Sequence, residues 1–392
     1  MANETSRLLP SSNSLSSPPL QESASSWRWY VLLSFSFFSF SSALMWVTFA
    51  PCLYIFVDYY FQHASPLTIN AIHSLSSVYM FLYPLVIHFT FPVFDNAVIK
   101  PNDTLGHRSS SLVVPGSGLK RGILIGAVLN VLGATVRWLG ATPSLYGFFL
   151  LLTGQTLAAL AQVFMLAIPP QLAVAWFPDS EINFATAIAV SANNFGIAIG
   201  CIWSPWAIKH ATMTHDIPQL LFFQMIMCAF VLVMVWSAFQ KQPPYSIHTS
   251  ADLTVPHDNS TTKRLFKEKN FMYLLLAYGA IFGAQCAIIT LIDQVLLPPF
   301  ADVISEDDIG LLSCVTLSIG VPGSILVGHY LDKTKQYRYV CNLLSIMTSI
   351  SLIGVYVSIE LKFFIGVIIS WYAKRQNNND LRTNSPFPSL LR

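Results

Sequence analysis

The chain has 392 residues, 54% of them hydrophobic and 10% charged, with a formal net charge of +2. A soluble domain carries about 25% charged residues, so a soluble globular enzyme, a disordered chain and a disulfide scaffold are excluded, and there is no basic field suited to nucleic acid. What remains is an all-α polytopic membrane protein, because a chain that crosses lipid satisfies its backbone hydrogen bonds within helices or in a closed barrel.

The predicted elements begin with a polar leader, 1–26, read as cytosolic and disordered. Within it, Glu4-Thr5-Ser6-Arg7-Leu8-Leu9 fits an acidic dileucine sorting signal. That pattern sets an endosomal or lysosomal membrane beside the plasma membrane as the expected location. Nine apolar segments follow, near 29–57, 67–94, 122–140, 145–169, 183–207, 218–239, 271–297, 309–331 and 339–359. Each has the length of a membrane-crossing helix, roughly 20 residues. The first is no signal peptide, since it is too long and no small-residue cleavage site follows it. The insertion 96–117, rich in Ser, Pro and Gly, reads as a flexible loop. Residues 240–270 form a polar linker after six spans. A tenth segment, 363–373, rises only about 17 Å at 1.5 Å per residue and does not cross a bilayer. A polar tail, 374–392, closes the chain.

Lys and Arg set the direction of the spans. With the N-terminus inside, 18 of the 21 fall on the cytoplasmic side. Arg137, Lys209 and Lys362 are left on the other. The three glycan-acceptor patterns, at Asn3, Asn102 and Asn259, are then cytoplasmic and expected to be unused. The six Cys (Cys52, Cys201, Cys228, Cys286, Cys314 and Cys341) lie in or beside spans and include no C-x-x-C pair. They read as small hydrophobes. No metal, cofactor, or nucleophile–base set is indicated.

Six helices, a cytoplasmic linker and further helices are the layout of a major facilitator transporter with two parallel halves. Between spans eight and nine stands Gly328-His329-Tyr330-Leu331-Asp332-Lys333-Thr334-Lys335. This resembles the G-x-x-x-D-[RK]-x-[GK] signature of that superfamily. Gly allows two helices to approach closely, and an Asp at a helix end can pair with a helix N-terminus and latch one conformation. In the first half the equivalent place has Asp95 but Phe91 where Gly is expected, and its basic cluster, Lys120 and Arg121, is displaced by the insertion. Gly328, Asp332 and Lys333, with Asp95 and Lys120, are the expected latch. The resemblance implies a complete six-helix N-terminal half, 27–239, and an incomplete C-terminal half, 271–373, shorter by two to three spans.

A narrower resemblance rests on span four and its sequel, Gly154-Gln155-Thr156 to Gln162-Val163-Phe164, Trp176-Phe177-Pro178 and Asn194-Phe195-Gly196. It rests also on Met45-Trp46-Val47-Thr48-Phe49-Ala50-Pro51 in span one and Ser77-Val78-Tyr79-Met80 in span two. Together these resemble the feline leukaemia virus subgroup C receptor family, solute carrier family 49, in the form of its orphan third member.

Polar side chains inside a span are costly and usually face a cavity or the bundle interior. Trp46, Tyr79, Gln162, Asn193, Asn194 and Gln285 lie near mid-depth and are the expected lining of a central substrate site. No acidic residue sits at that depth, and His73 and His88 are the candidates for a proton relay. A cation can instead bind over aromatic rings, at about 0.5–2 kcal/mol per ring. The family resemblance implies choline or ethanolamine as substrate, with Trp46 and Gln162 at cage positions and Cys286 where the family has a Tyr. Haem, proposed for one family member, fits less well, since only scattered His are present. The expected function is alternating-access transport of a small organic metabolite. The alternative is a shortened, non-transporting membrane protein that regulates or partners a full-length relative. The expected partners are that small molecule and the lipid bilayer, with oligomeric state left open.

Overall fold

The computed structural model describes residues 26–94, 97–99, 112–114, 117–240, 266–300 and 306–360. The leader with its dileucine pattern, Asp95, most of the linker, the tenth segment and the tail lie outside the described residues. The elements are α1 (Trp27–Val47), a 3₁₀ turn (Ala50–Cys52), α2 (Leu53–Phe61), α3 (Pro66–Phe94), β1 (Ala97–Ile99), β2 (Leu112–Val114) and α4 (Ser117–Leu139). They continue with α5 (Leu145–Val163), α6 (Pro169–Trp176), α7 (Ile182–Ala207), a 3₁₀ turn (His210–Thr212) and α8 (Met213–Ala238). The last three are α9 (Lys269–Phe300), α10 (Glu306–Thr334) and α11 (Tyr337–Glu360). Among the described residues, eight helices are long and apolar enough to cross a membrane, with α1 and α2 counted as one. They correspond to the first eight predicted segments, and the ninth forms α11.

Three expectations need correction. Span one is not one helix: it breaks after Val47 and resumes at Leu53, around Pro51, which lacks the N–H a continuous helix would use. Span four does not run to 169. α5 ends at Val163, and Pro169-Pro170 starts the separate α6, since a proline lacks the N–H that a helix interior uses and is tolerated in a helix's first turn. The insertion 96–117 is not merely a loose loop. Ala97–Ile99 pairs antiparallel with Leu112–Val114, Val98 opposite Val113, a small departure from an all-α chain.

The buried apolar side chains of the first half form three clusters. One, with Phe35, Phe38, Trp176 and Phe177, lies at the end holding Arg28 and Glu181. Another, with Phe56, Tyr60 and Phe148, lies at the opposite end. Between them sits a third cluster, in which Trp46 and Tyr79 of the first half meet Cys286 and Ile289 of α9. The C-terminal half joins the N-terminal half chiefly through α10, which lies antiparallel along α7, and through α9 at the turn Ala50–Cys52.

Candidate functional site

The α7–α10 seam runs the length of both helices. Near one end, a Cβ on Gly310 would fall 2.5 Å from the Cys201 carbonyl oxygen. Midway, the Ser191 and Ser324 hydroxyls share a hydrogen bond. At the other end a Cβ on Gly328 would fall 2.7 Å from the Ala187 Cβ, so only a residue without a side chain permits this approach. One turn further along, Asp332 reaches the first turn of α7. The N-cap residue there, Glu181, makes no side-chain capping bond. Asp332 supplies it from the other helix. Its Oδ2 accepts from the Phe184 backbone N–H at 2.8 Å, and its Oδ1 accepts from the Asn183 backbone N–H at 3.2 Å and from Asn183 Nδ2 at 2.6 Å. The side chain is 3% exposed. A carboxylate on unsatisfied N-terminal amides is favoured both by those bonds and by the helix dipole.

Lys335 completes this end. It ends α10 in the left-handed region, at φ 54°, with its N–H on the Leu331 carbonyl. Glycine adopts that conformation at no steric cost. Its Nζ lies 3.6 Å from Asp332 Oδ1 and donates to the Asp179 carbonyl. Beside it, Arg28 pairs with Glu181 at 3.1 Å and lies over the Trp29 and Phe177 rings. Of the expected latch, Gly328 and Asp332 are at this seam, Lys333 and Lys120 are exposed on helix ends, and Asp95 lies outside the described residues. Lys335, Asn183 and Arg28 belong to the arrangement and were not singled out from the sequence. Lys335 holds the last position of the signature, which is the signal that could have found it.

The expected substrate residues divide. Trp46 is 4% exposed and its indole Nε1 donates to the Ser76 carbonyl of α3 at 3.1 Å. Tyr79 is wholly buried, and its hydroxyl has no hydrogen-bond partner. Both lie in the cluster that Cys286 enters from α9. Gln162 is buried on α5 near its C-terminal end. Asn193 and Asn194 are half-buried on α7, with Asn193 Nδ2 unpartnered. Gln285, one residue from Cys286, is exposed, because a step of about 100° along a helix turns it away from the first half. The structure therefore brings Trp46, Tyr79 and Cys286 together and leaves Gln285 apart.

Arg137 was read as lying beyond the membrane on the outer side. It is instead the largest fully buried side chain among the described residues, at 1% exposed, with its guanidinium 5.0 Å from the centre of the Phe49 ring. Its place inside a predicted span was the available signal, since an ionisable residue there is a functional candidate by default.

A helical bundle with eight membrane-length spans among the described residues, in which a carboxylate of α10 caps α7, is that of an integral multi-pass membrane protein. The sequence profile of the Major Facilitator Superfamily matches residues 113–372, and the chain belongs to that superfamily. Among its relatives, the choline/ethanolamine transporter flvcr2a of Danio rerio is 29% identical over 321 residues, covering 79% of this chain and 62% of the relative. The choline/ethanolamine transporter FLVCR2 of Homo sapiens is 28% identical over 337 residues, covering 83% of this chain and 58% of the relative. An uncharacterized MFS-type transporter of Caenorhabditis elegans, C09D4.1, is 26% identical over 352 residues, covering 88% and 55%. The chain thus spans less than two thirds of the length of these curated relatives. Among solved structures, a bacterial homologue of the human lysosomal transporter Spinster, inward-facing and unoccupied, aligns with a TM-score of 0.54 at 14% identity, covering 79% of this chain and 63% of that one. That likeness concerns the fold alone.

Proposed function

We propose that the chain carries a small amine of the choline and ethanolamine class across its membrane by alternating access between the two helical halves. The observation that carries this reading is the meeting of Trp46 and Tyr79 with Cys286 in one buried cluster where the halves join. An aromatic face at such a junction attracts an ammonium or quaternary amine through its ring quadrupole, and central sites of this kind lie between the halves. The names of the relatives support the same class. Trp46 and Tyr79 bind the amine, with Gln162, Asn193 and Asn194 as polar contacts that become available when the halves part. Asp332 and Gly328 latch the halves at the α7 N-terminus, and release of that latch opens the path on that side.

Uptake of labelled choline and ethanolamine into vesicles holding the purified full chain tests this reading. Saturable uptake of either, competed by the other and weakened by Trp46→Ala, is the expected result. Absence of uptake and binding for both amines overturns it.

A further inference from the structure

Arg137 sits in the last turn of α4, and its backbone and Cγ pass so close to α5 that a Cβ on Gly154 would meet them at 2.6 and 2.8 Å. That approach carries the guanidinium into the bundle. None of its three nitrogens has a hydrogen-bond partner, and no ion pair reaches it among the described residues. Removing such a cation from water costs several kcal/mol. The Phe49 ring returns about 2 kcal/mol, which offsets only part of that cost. Among the described residues, the ionisable groups within its electrostatic reach are Tyr79, Cys228 and Tyr60, two phenols and a thiol, with no carboxylate. The Tyr60 hydroxyl is committed to the Gly140 carbonyl at 3.0 Å. The Tyr79 hydroxyl is committed to nothing. A forked cation and a free hydroxyl, both buried, therefore each lack an acceptor, and the cation also lacks a counter-charge.

We propose that Arg137 and Tyr79 form a binding site for one anionic group, a carboxylate, phosphate or halide, inside the N-terminal half. The planar guanidinium fork matches a two-oxygen acceptor, and the phenol adds a third donor. Phe49, just before the 3₁₀ turn Ala50–Cys52, covers one face of the guanidinium. The anion is either a free inorganic ion or the acidic group of an amine that carries one. This site stands whether or not choline and ethanolamine are the transported amines.

Thermal unfolding of the purified full chain in detergent tests it, in sodium HEPES as the bulky reference anion at constant ionic strength. Sodium chloride and sodium phosphate are one arm. Ethanolamine against phosphoethanolamine is the other. A saturable rise in the midpoint of about 2–5 °C is expected in one of them. A rise with the inorganic ions identifies a free anion, whereas a rise with phosphoethanolamine alone identifies an anion borne by an amine. Arg137→Gln should abolish the rise without lowering the midpoint measured in HEPES alone, because an amide is cheaper to bury than an unpaired cation. Tyr79→Phe should weaken the apparent affinity about 2- to 10-fold. If Arg137→Gln does not fold, Arg137→Lys decides: it keeps the charge but not the fork, so an unchanged response to phosphate or phosphoethanolamine overturns the site and a loss of about 10-fold or more supports it. A midpoint that no free or amine-borne anion moves, or a rise that survives Arg137→Gln, also overturns the proposal.

Discussion

The carboxylate of Asp332, on α10, accepts a hydrogen bond from the Phe184 backbone N–H of α7 at 2.8 Å and so caps a helix of the opposite half. Three donors from Asn183 and Phe184 converge on its two oxygens. The cap and the contact between the halves are the same interaction, and losing one loses the other.

Asp332→Asn keeps one acceptor oxygen and removes the charge. Hydrogen bonds to charged groups contribute about 1.5–3 kcal/mol, so the state closed at this end should lose about 10- to 100-fold in population. Distances between spin labels on the neighbouring ends of α7 and α10 should lengthen, while the amount of protein inserted in the membrane is unchanged. Normal distances and normal uptake of whatever small molecule the chain carries would remove the latch role from Asp332.

Gly328→Leu tests the approach that makes the cap reachable. A Cβ there falls 2.7 Å from the Ala187 Cβ and 3.0 Å from the Asn183 carbonyl oxygen. Backbone cannot yield as a flexible side chain does, so the helices must separate, at a cost of about 1–3 kcal/mol. The label distances should lengthen as in Asp332→Asn. The double variant should add little to either single one, because both remove one contact. Full additivity would mean that the glycine serves some other packing need.

How far the sequence could be read depends on the kind of signal. Span positions were legible because apolar runs of membrane length have few alternatives. The contact of Gly328 and Asp332 with α7 was legible because the two stand at a fixed spacing with an intelligible chemistry. The helix breaks at Pro51 and Pro169 were signalled by the prolines themselves, but hydropathy ran through them. Arg137 was misplaced because counting charges treats a residue at a span edge as loop, whereas the glycine at position 154 that draws it inward is on another helix. Gln285 and Cys286 show a further limit: which side of α9 faces the first half depends on packing, which hydropathy does not carry.

Residues 240–270 should be reached from the cytoplasmic side alone, since the distribution of Lys and Arg places the N-terminus inside. A cysteine at Ser250 in a chain otherwise freed of reactive thiols should react with an impermeant reagent only after permeabilisation. Labelling in intact cells would reverse the topology, and with it the side on which the Asp332 latch closes.

Trp46 carries both packing and, on the proposed function, binding, and two substitutions separate them. Trp46→Ala removes a buried indole and should lower stability by about 3–5 kcal/mol. Trp46→Phe keeps most of the packing but loses the bond from Nε1 to the Ser76 carbonyl, about 0.5–1.5 kcal/mol. If the ring face binds an amine, Trp46→Phe should hold affinity within about 10-fold while Trp46→Ala loses about 5- to 30-fold. Thermal unfolding reports the first effect and equilibrium binding of labelled choline the second. Equal affinity in both variants and the native chain would assign Trp46 to packing alone.

Cys286→Tyr addresses the cage wall that the family resemblance expects on α9. Cys286 is 7% exposed and lies in the cluster with Trp46 and Tyr79. A phenol in its place adds a third aromatic side chain beside Trp46 and Tyr79, and each ring face contributes about 0.5–2 kcal/mol toward a quaternary amine. It also adds volume to a packed site, which costs about 1–3 kcal/mol of stability. Choline affinity should therefore rise by up to about 30-fold while the melting midpoint falls. Cys286→Leu, which adds bulk without the aromatic face, should lower the midpoint and leave affinity unchanged or weaker. If the leucine variant raises choline affinity as much as the tyrosine variant does, the gain comes from reshaping the cluster rather than from a ring facing the cation, and the aromatic cage is the wrong description of the site.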